Sequence, residues 1–100
     1  MDSYLLTTFI VSAFSAPTFK LSSDVLAAEA SRWFPKPNVT WSDHVGNALQ
    51  GNTSFKENSA GIFSVMTTLQ PVNISDTYTC RIENKLVMAT SRATITGILV

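Results

Sequence analysis

The chain has few of the residues that catalysis and metal binding rely on: its 100 residues include one cysteine, Cys80, and one histidine, His44. One thiol and one imidazole cannot make a structural zinc site within this chain, and Cys80 has no internal cysteine to pair with. Charge of one sign is also missing, since Lys and Arg number 7 and Asp and Glu number 7. That balance argues against electrostatic binding to nucleic acid or to an anionic membrane surface, which needs clustered cations. No apolar run reaches the roughly 18 residues that span a bilayer. Glycine-rich phosphate loops are absent, and the composition implies no cofactor and no metal. Among the 45% of residues that are hydrophobic there is nonetheless enough apolar surface to bury a core. The length suits one small domain.

Short strands separated by turn residues account for most of the chain from Pro17 onward. Thr18 to Leu21 reads as a first strand, Val25 to Ala30 as a second, and Val39 to Ser42 as a third. Between the second and third, Pro35 and Pro37 bar a helix from the Arg32 to Pro37 connection. Asp43 to Asn52 is polar, contains Gly46 and Gly51, and reads as an exposed connection, followed by a strand over Thr53 to Asn58 anchored by Phe55. The alternation from Ile62 to Leu69 is the clearest strand, with Phe63, Val65 and Leu69 on its core side. Pro71 to Asp76 forms a corner, Thr77 to Ile82 the next strand, and Thr90 to Thr96 the last.

Trp41 on the third strand and Tyr78-Thr79-Cys80 on a later one form a recognisable pair of signals. In an immunoglobulin sandwich a cysteine on strand B, a tryptophan on strand C and a Tyr-x-Cys on strand F meet in one core. The tyrosine packs there while its hydroxyl bonds back to the preceding corner. Counting back from Trp41 by the usual B to C interval lands on Leu26 to Ala30, and Ala28 occupies the position of the first cysteine. The expected fold is therefore all-β, a constant-type sandwich of two antiparallel sheets and about seven strands, with its internal disulfide missing. Trp41, Tyr78 and Cys80 are its structural core.

Three Asn-x-Ser/Thr triplets, at Asn38, Asn52 and Asn73, are candidate N-glycosylation acceptors and point to a secretory protein. Catalytic candidates are poor by comparison. His44 beside Asp43 reads as a solvated loop pair, and Cys80 on a buried strand reads as an inert thiol. Trp33 and Phe34 are both expected to pack against the end of the sandwich or a neighbouring domain, and Glu29, Arg32, Arg81, Glu83 and Arg92 to form a solvated face.

Residues 1–16 allow two readings: a signal peptide, with the apolar Leu5 to Phe14 and Ala13-Phe14-Ser15 as a cleavage candidate, or the last strand of an upstream domain followed by a linker. Residues 17–97 form the domain and 98–100 a tail.

The run Trp33-Phe34-Pro35-Lys36-Pro37-Asn38-Val39-Thr40-Trp41 resembles the Trp-Phe-Pro-x-Pro-x-Val-x-Trp pattern of the membrane-proximal, constant-type domain of the B7/butyrophilin family. Asn52-Thr53-Ser54-Phe55 and Tyr78-Thr79-Cys80-Arg81-Ile82-Glu83-Asn84 fit the same family. The resemblance implies a glycosylated ligand on the extracellular side of the plasma membrane, or secreted, that tunes T-cell activation through a protein receptor on T cells and performs no catalysis. In that family a distal variable-type domain precedes this one and a transmembrane helix follows; neither is expected within these residues. Ala28 departs from the family cysteine. The chain is thus read as an extracellular interaction or spacer module of a B7-like immunoregulatory ligand, with a truncated or diverged member lacking receptor binding, anchored or secreted, as the alternative.

Overall fold

Alternating side chains and intervening turns resolve into eight strands: β1 (Thr18–Ser22), β2 (Val25–Trp33), β3 (Asn38–Ser42), β4 (Ala48–Leu49), β5 (Asn52–Glu57), β6 (Phe63–Leu69), β7 (Thr77–Glu83) and β8 (Met88–Thr94). The structure, a computed structural model, describes residues 14–96. Most of the N-terminal segment with its two readings, and the tail, lie outside the described residues. No helix among the described residues is long and apolar enough to cross a membrane.

The strands form two antiparallel four-stranded sheets, ordered β1-β2-β6-β5 and β4-β3-β7-β8. In sandwich nomenclature the first is A-B-E-D and the second is C-F-G extended by one strand, which is the constant-type plan with a short addition. That addition, β4, lies inside the segment expected to be a plain connection. It pairs with β3 through Trp41 with Leu49 and Ser42 with Ala48. Leu49 packs against the core and supplies an apolar anchor in an otherwise polar stretch.

β2 continues to Trp33, beyond the point at which a connection was expected at Arg32. Ala30 pairs with Val65 and Trp33 with Phe63, so three steps along β2 match two along β6. One extra residue has been inserted, which is a β-bulge. Arg32 carries it with φ 62, a left-handed conformation uncommon outside glycine. Without the bulge, strict alternation from Ala30 would turn Arg32 inward and Trp33 outward. With it, both Ala30 and Trp33 are buried.

The core between the sheets takes Leu26, Ala28 and Val65 from the first and Trp41, Cys80 and Ile82 from the second. β8 starts at Met88, ahead of the expected Thr90, because its register with β7 runs unbroken from Thr77 with Thr94 to Glu83 with Met88. Chain direction then fixes the two ends of the molecule. Ser15 enters at the end holding the 34–37 and 84–87 connections, where its amide donates to Ser31 O at 3.2 Å and its own oxygen accepts from Trp33 Nε1 at 3.0 Å. Ile95 leaves at the opposite end, donating to Asp76 O at 2.9 Å.

Candidate functional site

Trp41 is placed by β3, where Val39 and Trp41 face inward on the two-residue period. Its indole Nε1–H crosses the sandwich and donates to Thr67 Oγ1 at 2.8 Å. Thr67 is fully buried, and its hydroxyl also shares a 2.9 Å hydrogen bond with Thr53 Oγ1. A buried indole N–H needs such a partner, because leaving it unpaired costs about 1–3 kcal/mol. Gly51 makes room for the ring: a Cβ there would lie 2.5 Å from Trp41 Cδ1 and 2.9 Å from Thr68 O.

Cys80 pairs with Trp41 along the second sheet, and Ala28 pairs with Thr67 along the first. Both Cys80 and Ala28 are fully buried in the same core. Burial alone pushes the Cys80 thiol up to about 12, because an apolar surrounding disfavours the thiolate. Held protonated in this way, the thiol is a poor nucleophile at neutral pH. Tyr78, also buried, directs its hydroxyl to the corner, where Oη accepts the Asn73 amide hydrogen at 2.9 Å.

Asp43 and His44 lie at the far side of the C-strand. The Asp43 carboxylate accepts from the Asn47 amide at 2.9 Å and the Val45 amide at 3.0 Å, which closes the turn before β4. The Asn47 amide, followed by the other turn donors, holds its carboxyl below the usual carboxylate range. These bonds are those of a turn cap. An open groove of about 680 Å3 lies on the first sheet beside Thr18, Glu29, Ser54 and Met66 and is lined by neither His44 nor Cys80. No cluster of metal-ligating side chains occurs among the described residues.

Trp33 and Phe34, expected to pack alike, part company. Trp33 is fully buried, with the Phe14 ring edge-on at 5.0 Å. Phe34 is 54% exposed, because the strand ends at Trp33 and the connection carries the next ring past the end of the core. Leu86, 61% exposed on the 84–87 connection, lies at the same end. Asn84 fastens the two connections together by donating to Pro35 O at 2.8 Å. Sequence reasoning missed both the exposed ring and the Thr67 hydroxyl.

The three acceptor asparagines are all exposed. Asn38 projects from the outer face of the second sheet, Asn52 from the outer face of the edge strand β5, and Asn73 from the corner before β7. Arg81 and Glu83 form an exposed ion pair at 3.0 Å on β7, which contributes about 0–1 kcal/mol. The other charged residues of that group are separated: Glu29 and Arg32 lie on β2 in the opposite sheet, and Arg92 on β8.

Comparison with known proteins agrees with this anatomy. A family model for the Ig-C domain of butyrophilin subfamily 3 member A2-like proteins matches residues 22–92. Human V-set domain-containing T-cell activation inhibitor 1 is 39% identical over 93 residues, covering 84% of this chain and 33% of that protein. The rat protein matches to the same extent. The chain therefore spans about a third of the length of the curated relatives it matches. Among solved structures, bovine butyrophilin superposes with a TM-score of 0.69 at 21% identity, over 84% of this chain and 44% of that one. A chain of the complex of ICOS with ICOS-L and an anti-ICOS-L VNAR domain gives 0.69 at 24%, over 80% and 43% respectively. At these identities the structural likeness shows the fold.

Proposed function

Since this chain belongs to the butyrophilin-like immunoglobulin constant-domain family of B7-type proteins, we propose that it serves as an extracellular interaction or spacer module of an immunoregulatory ligand that modulates T-cell activation. One observation carries this reading: the polypeptide enters the sandwich at Ser15 and leaves at Ile95, at opposite ends. A module of that design extends a chain in line and holds whatever adjoins it at a fixed distance. Two of the outer rows, Thr40, Arg81 and Thr90 on one face and Lys20, Ala27 and Thr68 on the other, are polar or small and suit a solvated stalk, while the neighbouring rows also expose Met88 and Met66. The relative at 39% identity is by name an inhibitor of T-cell activation, which supplies the immunoregulatory part of the proposal. Its work is binding and positioning, with no reaction at Cys80, whose burial holds the thiol protonated.

Ala28 favours a second reading, a diverged member without receptor activity, because it removes the covalent tie between the sheets. Flow cytometry of the purified chain, made in a secretory host, on activated T cells separates the two. Saturable binding that is competed by unlabelled chain supports a contact-bearing module. Absence of binding by a folded chain favours the diverged member.

A further inference from the structure

We propose that β8 is a pairing edge for a second copy of this chain: two molecules join antiparallel through β8, about a twofold axis at Ser91, and merge their second sheets into one. Pairing of this kind is independent of any receptor.

Each sheet has two edge strands, and three of the four are guarded or short. β1 has five residues with an exposed Lys20, β4 has two residues, and β5 carries Lys56, Glu57 and the acceptor Asn52. Charges on an edge strand, lysine above all, oppose its pairing with another chain. β8 is different. It runs seven residues, Met88–Thr94, with no Pro, Gly, Lys, Asp or Glu and with Arg92 as its one charge. Its ladder with β7 is unbroken from Glu83 with Met88 to Thr77 with Thr94, so no bulge turns the free side away. Alternate residues along that side point amide and carbonyl outward, and no strand among the described residues takes them up. None of the acceptor asparagines lies on β8.

The symmetry of the strand itself selects the occupant. An antiparallel copy turned about Ser91 sets Met88 opposite Thr94, Ala89 opposite Ala93 and Thr90 opposite Arg92 of the second molecule. The half-buried row is then Ala89, Ser91 and Ala93, small enough for two sheets to meet side by side. On the exposed row each Arg92 faces a threonine, so no like charges stand directly opposite each other.

The two ends of the sandwich complete the match. Every lysine on a described connection is at the entry end, Lys36 and Lys85, and every aspartate is at the exit end, Asp24, Asp43 and Asp76. Antiparallel joining sets the entry end of one copy beside the exit end of the other, twice over; parallel joining would set lysine against lysine. Lys85 lies just before β8, and the Asp76 carbonyl takes the Ile95 amide at 2.9 Å just after it, so these two charges flank the seam. Exposed apolar residues follow the same plan: Leu86 and Met88 at the start of β8 in one copy lie toward Ile74 in the corner of the other.

Sedimentation equilibrium of the full chain, secreted from mammalian cells, gives the test, with near-ultraviolet circular dichroism to confirm each fold. The mass should reach two chains and stop there, because a twofold contact uses up its own surface. Ser91→Lys and Ser91→Glu each set like charges together on the axis and should sediment as monomers, whereas an equimolar mixture of the two should pair. Thr90→Lys alters an exposed side chain and places a cation opposite each Arg92. With two symmetric pairs per dimer it should weaken association roughly 2- to 30-fold. A native chain that stays monomeric at about 1 mM, the weakest range of specific binding, overturns the proposal. So does an assembly that grows past two copies, a folded Thr90→Lys chain that pairs as tightly as the native one, or a mixture of folded Ser91 variants that fails to pair.

Discussion

Trp41 and Thr67 tie the two sheets together by a 2.8 Å hydrogen bond, at the level where the fold's covalent link is missing. Trp41 is the strand neighbour of Cys80, and Thr67 is the strand neighbour of Ala28. The indole and the hydroxyl therefore bridge the sandwich next to a cysteine that has no partner. A hydrogen bond of this kind contributes about 0.5–1.5 kcal/mol net. A native disulfide in a small secreted domain contributes about 2–5 kcal/mol. The polar bridge offsets only part of the loss.

If Ala28 occupies the vacated cysteine position, Ala28→Cys should form a disulfide with Cys80 and raise the melting temperature by about 4 to 8 °C for each kcal/mol regained. Thermal melts of the oxidised and reduced variant, with a thiol count, measure this. Two free thiols after oxidation would mean that residues 28 and 80 do not oppose each other.

Thr67→Val keeps the shape but removes the acceptor of Trp41 Nε1 and the partner of Thr53 Oγ1. It should cost about 1–3 kcal/mol, the usual effect of orphaning a buried donor. Thr67→Ser retains the hydroxyl and loses one methyl, so about 1 kcal/mol is expected. Urea titrations of the pair check the order; equal losses would assign the effect to packing rather than to the bond.

At Gly51 the obstacle is a ring and a backbone. Gly51→Ala would put a methyl 2.7 Å from Trp41 Nε1 and 2.9 Å from Thr68 O, and the carbonyl cannot step aside. Overpacking of this kind costs about 1–3 kcal/mol. The shift of the indole should show in the near-ultraviolet circular dichroism together with a lower urea midpoint.

The Cys80 thiol should resist a water-soluble disulfide reagent at pH 8 in the native chain and react fully after denaturation. Burial raises it from 9.0 to about 12, so between those values the unfolded chain releases a proton that the folded chain keeps. Stability attributable to this group is therefore constant below pH 9 and falls as pH rises toward 12. Reaction of the native thiol at pH 8 at the rate of a free peptide would contradict the buried placement.

Much of the fold was legible because its signals are local. Alternation located β6, and the Tyr78 to Cys80 spacing located β7 together with its corner. Trp33 was harder, since one extra residue at Arg32 resets the period that pattern reading relies on. β4 was invisible because a two-residue strand has no pattern of its own and exists only through its pairing with β3. Three asparagines stand out in the chain by their Asn-x-Ser/Thr triplets; that Asn47, Asn58 and Asn84 hold turns is seen only once those turns are placed.

By itself, the order of residues determined the class of fold, the family resemblance and the absence of a second cysteine, because each of these is written in spacing and composition. Tertiary structure decided what stands in for the missing link. Thr67 is one of several threonines on alternating strands, and nothing along the chain marks it as the partner of an indole 26 residues away. That role arises from sheet register, which sets Trp41 beside Cys80 and Thr67 beside Ala28, and from the facing of two sheets, which brings donor and acceptor within bonding distance.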